Sequence, residues 1–262
     1  MLKHLVALIC ITISLVSTQQ AYAFHATEAF GQLEYVRHTD LISVEKIKSS
    51  ETEDWQAIDL EQANFGFDQA HYWFRVPITE VPPGKDTWLL RSNYPLLDQL
   101  DVYLYADEIL KQEFHTGDIL PFKQRPLQQR SFVFPLQLNP DQNHWLYIHV
   151  YTSSSVQLPL TLQSENQFWQ NLATENSIAA AFYAVLLCML IYNTVIYLIA
   201  REKSYLYYIL YLASFIILLA SIHGWSYQLL WPNSPLIHPT SVVFSIATTS
   251  LFGCLFGVYF LR

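Results

Sequence analysis

Cysteine is scarce in this chain, and its placement matters more than its number. Of three cysteines, Cys10 lies in an N-terminal apolar run and Cys188 and Cys254 lie in apolar runs near the other end, so residues 24–177 contain none. That excludes a disulfide framework or a cysteine-ligated zinc site in the segment. A stretch of about 150 residues can bury enough surface to fold without such staples. Glycine is scarce too, seven in 262 residues, and there is no Gly-rich phosphate loop, no H-E-x-x-H and no G-x-S-x-G. The sequence therefore nominates no catalytic residue, cofactor or metal. Basic residues are thin over 24–177, ten Lys and Arg against 21 Asp and Glu, a net of −11 in a chain whose total is −8. Such a segment is a poor partner for nucleic acid, whose phosphates need clustered cations, and for anionic lipid.

What the chain does have is long apolar runs. Met1 to Ala23 reads as a secretory signal peptide: Lys3 in the basic region, an apolar core from Leu5 to Val16, and the small-residue site Ala21-Tyr22-Ala23. Three later runs, 178–200, 205–222 and 242–261, are long enough to cross a bilayer. Arg201, Lys203 and Arg262 sit at the ends that become cytoplasmic, while the loop 223–241 has no Lys or Arg. The acidic segment is thereby expected outside the cytoplasm, with the C-terminal end inside. Ending after a third span, the chain reads as a fragment of a longer one. Within the spans, Asn193 is expected to bond a neighbouring helix, and Gly253 and Gly257 form a small-xxx-small spacing suited to a bundle contact or a homodimer.

Between 24 and 164 the pattern is that of short strands separated by turn residues. The clearest are 71–78, 87–93, 99–105, 109–115, 132–138, 145–151 and 156–162, with a short helix after Asp40 and breaks at Val81-Pro82-Pro83-Gly84, Thr116-Gly117-Asp118 and Asn139-Pro140-Asp141. About seven strands without long helices between them predict an antiparallel β-sandwich rather than a parallel α/β sheet. Residues 165–177 read as a juxtamembrane linker.

Several ordered strings go beyond pattern. Asn64-Phe65-Gly66-Phe67, Tyr72-Trp73-Phe74-Arg75, Tyr94-Pro95-Leu96-Leu97-Asp98, Gly117-Asp118-Ile119-Leu120-Pro121-Phe122, Arg125-Pro126, Arg130 and Phe132-Val133-Phe134-Pro135-Leu136 follow one another in the acidic segment. Leu190-Ile191-Tyr192-Asn193, the tyrosine-rich Ser204 to Tyr211 and Leu230-Trp231-Pro232 follow in the spans. Together they resemble the bacterial seven-transmembrane receptors with diverse intracellular signalling modules. The resemblance implies a jelly-roll sensor domain similar to carbohydrate-binding modules, a helical membrane unit, and an output such as a diguanylate cyclase or histidine kinase. The expected ligand is a small solute, a carbohydrate by preference; the alternative is a protein-interaction module that reads a periplasmic partner.

The resemblance supplies no ligand residues, so candidates come from chemistry. Tyr94 and Asp98 flank a proline bend, Asp118 follows Gly117, and Arg91, Arg125 and Arg130 stand out in so acidic a segment. Arginine offers a planar fork for carboxylates or sugar hydroxyls; ion pairing with Asp98, Asp101 or Asp118 is the structural alternative. Trp73, Trp88 and Trp145 are expected in the core. His71, His115, His144 and His149 show no metal-ligand spacing, and no clustered oxygen loop marks a calcium site.

Overall fold

The computed structural model describes residues 29–49, 54–60, 63–79, 81, 87–235 and 237–261. The leader expected over 1–23 and the turn at Pro82-Pro83-Gly84 lie outside them. Among the described residues eleven strands form: β1 (Leu33–His38), β2 (Gln56–Ile58), β3 (Asn64–Phe67), β4 (His71–Ile78), β5 (Trp88–Ser92), β6 (Gln99–Ala106), β7 (Ile109–Thr116), β8 (Phe132–Leu136), β9 (His144–Tyr151), β10 (Ser155–Gln157) and β11 (Leu160–Ser164). The helices are α1 (Val44–Ser49), α2 (Glu165–Ala200), α3 (Lys203–Ile222), α4 (Trp225–Leu229) and α5 (Ile237–Phe260).

The strands pair antiparallel throughout, in a six-stranded sheet ordered β2-β1-β4-β9-β6-β7, a three-stranded sheet β11-β5-β8 and the pair β10-β3. Period-two alternation decides which side chains enter the space between them. On β4, Tyr72, Phe74, Val76 and Ile78 join Leu100, Val102 and Leu104 of β6 and Ile148 and Val150 of β9 in the main core, facing Leu90, Phe132, Phe134, Leu160 and Leu162 from the other sheet. This is the antiparallel sandwich that the sequence predicts. Trp73 points the opposite way, into a second cluster with Val36, Tyr105 and Tyr147 that Val44 and Ile47 of α1 cover. Trp73 is thus a core residue, whereas Trp88 is only partly buried against the main core and Trp145 against the second.

Two readings need correction. The strand expected over 156–162 breaks at Leu158-Pro159 into β10 and β11, which join different sheets; proline has no N–H to continue the ladder. The linker expected over 165–177 is helical, the first third of the 36-residue α2. Ser164 caps it, its hydroxyl accepting from the Gln167 amide at 3.4 Å.

α2, α3 and α5 are each long and apolar enough to span a membrane. α3 and α5 pack along their length, with Tyr207 stacked on Tyr259 at 4.8 Å and Tyr208 against Phe256 at 5.1 Å. Gly253 lets the Tyr211 ring approach, a Cβ there lying 3.3 Å from it, while a Cβ at Gly257 would meet no other part of the described residues within 4 Å. Asn193 donates to the Met189 carbonyl of its own helix at 2.8 Å.

Gly117 closes the turn that positions the site described below. A Cβ there would sit 1.9 Å from the Asp98 carbonyl oxygen, a backbone atom that cannot swing aside. Gly117→Ala should therefore destabilise the sandwich by about 2–3 kcal/mol, read as a lowered unfolding midpoint of the purified chain.

Candidate functional site

The six candidate polar residues gather at the base of the sandwich, where it meets the membrane helices. β5 explains why. Leu90 points into the main core, so Leu89 and Arg91 face the other way, onto the outside of the three-stranded sheet. There Leu89 and Val133 pack against Phe168 and Leu172 of α2. Residues 168, 172 and 175 fall at helical spacing on one face of α2, so Glu175 arrives opposite Arg91.

Arg91 Nη1 meets Glu175 Oε1 at 2.8 Å and Nη2 meets Oε2 at 2.7 Å, a bidentate fork, while Nε donates to Ser131 Oγ at 3.1 Å. Arg130 Nη2 reaches the same Oε2 at 2.9 Å. Both guanidiniums are almost wholly buried, with side chains 5% and 7% exposed. Burial pushes Arg130 below its usual pKa, Glu175 opposing the shift and Arg91 adding to it. Arg91 and Arg130 do form ion pairs, but with Glu175 rather than with Asp98, Asp101 or Asp118. The Arg130 guanidinium also lies over the Trp225 ring of α4, 5.2 Å from its centroid. Gly224, at φ 76°, passes so close that a Cβ would be 3.1 Å from the Arg130 carbonyl oxygen.

A second contact lies beside the first. The loop after β7 sends Phe122 against Tyr227 of α4 in an edge-on pair at 5.6 Å, and the Phe122 amide donates to the Pro232 carbonyl at 3.1 Å. The Tyr227 hydroxyl donates to the Leu120 carbonyl, and its ring stacks on His238 of α5 at 4.7 Å. Arg125 fills the middle: Nη1 donates to the Gln129 and Arg130 carbonyls at 2.9 and 2.8 Å, and its guanidinium stacks over Phe132, Phe122 and Tyr227. Burial lowers its pKa to about 10, which keeps it cationic at neutral pH. Asp118 and Asp98 lie next to it. Asp98 accepts from the Ser153 amide at 2.8 Å and from Thr152 Oγ1 at 3.4 Å, and Tyr94 reaches Ser154 Oγ at 3.5 Å.

None of the six is placed as a surface ligand residue. Arg91, Asp118, Arg125 and Arg130 are buried, and Tyr94 and Asp98 are partly so. The outer face of the six-stranded sheet is different. Strand register aligns Trp73, His149, Asp101 and His115 in one row and His71, Tyr151 and Gln99 in the next. Asp101 accepts from His149 and His115 at 2.9 Å each and from Gln99 at 2.7 Å, and His149 meets His71 at 3.0 Å. Burial alone would raise Asp101, and these partners outweigh it, leaving its pKa below the usual carboxylate value. Burial beside His149 lowers His71. Tyr151 stacks on His71 at 4.6 Å, and Tyr103 packs on Trp73 at 5.9 Å. Among the described residues no group of three His, Cys, Asp or Glu side chains has metal-binding geometry.

Sequence reasoning missed Glu175, Tyr227 and this histidine row. The helical recurrence Phe168, Leu172, Glu175 is the signal that points to the first.

None of the curated proteins compared matches the chain. Solved structures similar to it include a β-glucuronidase from Ruminococcus gnavus in complex with an N1-substituted uronic isofagomine (10% identity, 49% of this chain and 25% of that one, TM-score 0.28). A β-glucosidase from Kluyveromyces marxianus in complex with glucose (12%, 50% and 16%, 0.25) and a GH31 α-xylosidase from Xanthomonas citri (13%, 51% and 13%, 0.24) are also similar. The chain spans a quarter or less of each. Family models are more specific: the one described as 7TMR-DISM extracellular 2 matches residues 31–164, and the one described as 7TM diverse intracellular signalling matches 175–262. A sandwich clamped onto membrane-spanning helices, matched on both parts, belongs to the 7TMR-DISM receptor family.

Proposed function

We propose that this membrane sensory receptor takes a small polar solute of the saccharide class on the outer face of its six-stranded sheet and relays the event across the bilayer through α2. The Arg91–Glu175 fork carries the reading. It fastens the sandwich to the helix that continues into the membrane, so a shift of the sheet is passed to α2 as a rigid displacement rather than lost in a flexible tether. The side chains on the open part of the face suit hydroxyl-rich ligands: Tyr151 and Tyr103 give aromatic surface, and Gln99 and His115 offer hydrogen-bonding groups. The sandwich lies on the extracytoplasmic side in this reading, because Arg201 and Lys203 mark the opposite ends of the helices. The relay ends on a cytoplasmic output of the diguanylate cyclase or histidine kinase kind.

A protein ligand is the second reading, favoured by Phe67 of β3, an aromatic side chain 85% exposed.

Two outcomes are expected. Glu175→Gln leaves two buried guanidiniums without their counter-charge, a loss of about 3 kcal/mol, and should lower the melting temperature of the chain in nanodiscs by about 6–12 °C. An unchanged melting curve would show that the clamp holds nothing. Calorimetric titration of the same preparation with monosaccharides and cell-wall glycan fragments should give saturable heat, weakened about tenfold by Tyr151→Ala. Silence across that panel removes the saccharide and leaves the protein partner.

A further inference from the structure

The clamp leaves Asp118 unexplained. Its side chain is 2% exposed, and its Oδ1 has no hydrogen-bond partner among the described residues. A carboxylate in that position would be costly, and a carboxylic acid much less so. Its place is set by backbone: the Asp118 amide donates to the Leu97 carbonyl at 2.8 Å, and Gly117 lies flat against Asp98. The charged and titratable groups facing it are Asp98 and Tyr94 from the bend after β5, Arg125 from its own loop and Tyr227 from α4, with His238 of α5 behind Tyr227. Asp98 already accepts from Ser153 and Thr152, so it is held as an acceptor toward its neighbour. Arg125 spends Nη1 on two carbonyls, and its Nε has no partner among the described residues, so it does not make a fork to either carboxyl.

We propose that Asp118 holds a proton, donated toward Asp98, and that this proton latches the loop 117–125 onto α4, making the joint between sandwich and membrane helices responsive to the pH of the compartment that holds the sandwich. No covalent step is involved. The proton is taken from water when the loop docks and returned when it leaves.

The direction follows from burial. Removal from water, and then the neighbouring Asp98, raise Asp118 from 3.8 to about 7, with Arg125 opposing. An undocked, solvated Asp118 keeps its ordinary value, so docking takes up a proton. The latch is tightest below the ordinary value and weakens as pH rises toward about 7, where the docked carboxyl ionises. Above that, ionised Asp118 faces Asp98 with only a stacked Arg125 to compensate.

The test places spin labels at Lys123 and Leu229, both exposed and one on each side of the joint, in the full chain in nanodiscs with Cys10, Cys188 and Cys254 replaced by alanine. The interlabel distance distribution should be narrow at about pH 5 and broaden at about pH 8 for at least half of the molecules, reversibly. Asp118→Asn, neutral at every pH, should stay narrow throughout. Asp98→Asn removes the like charge while keeping an acceptor, so the transition should move to lower pH. Infrared spectra of the unlabelled chain should show a protonated carboxyl band that fades over the same range and is missing in Asp118→Asn. A distribution that is unchanged over the range, an Asp118→Asn chain that retains the transition, or an Asp98→Asn chain with an unmoved midpoint would each overturn the proposal. These readouts do not depend on any solute binding to the sheet, so they fail or succeed separately from the saccharide reading.

Discussion

A guanidinium buried on the outside of a sheet requires an anion, and the anion that meets Arg91 stands 84 residues away on another element. The rest of the architecture follows from that requirement. For Glu175 to reach β5, α2 must begin directly at the end of β11, lie across the three-stranded sheet, and stay helical from there into its apolar stretch. Phe168 and Leu172 supply the apolar contact that holds it in that path. Separating the sheet from the helix would leave charge without a partner in a water-poor place, a cost that adds to that of exposing Phe168 and Leu172. Arg130 joins the same carboxylate and leans on Trp225, so the clamp extends to the helix that caps α3.

Beside this charged clamp sits a joint of different chemistry. Phe122, Tyr227, His238 and Arg125 form a stack of rings and a guanidinium whose hydrogen bonds go mostly to backbone carbonyls. The clamp fixes the sandwich to α2, and the joint fixes it to α4 and α5. A receptor built this way has two places at which the sheet and the membrane helices are coupled, one ionic and one governed by packing and by a buried acid.

Much of this was legible in the sequence, and the parts that were not have physical reasons. β4, β6 and β7 run eight residues each, long enough for their ends to fall close to where the pattern places them. β2 and β10 have three residues apiece, too few for periodicity to register, and Pro159 hides the boundary between β10 and β11. The first third of α2 is rich in Asn, Gln, Thr and Glu, so it resembles a linker; only Phe168 and Leu172 betray a buried face. The arginines stand out in the sequence of so acidic a segment, but the partners it suggests for them are acids of the sandwich itself. Which of several carboxylates a buried arginine meets is a property of the packed helix and not of nearby sequence. The histidine row across β4, β9 and β6 depends on strand order β4-β9-β6, which no single strand encodes.

The central claim is that sandwich and α2 are one mechanical unit. Hydrogen exchange over 165–177, measured by mass spectrometry on the chain in nanodiscs, tests it most directly. The account predicts amide protection there comparable to that of β5, continuous with the spanning part of the helix. Exchange as fast as that of an isolated, frayed helix, with β5 still protected, would contradict it.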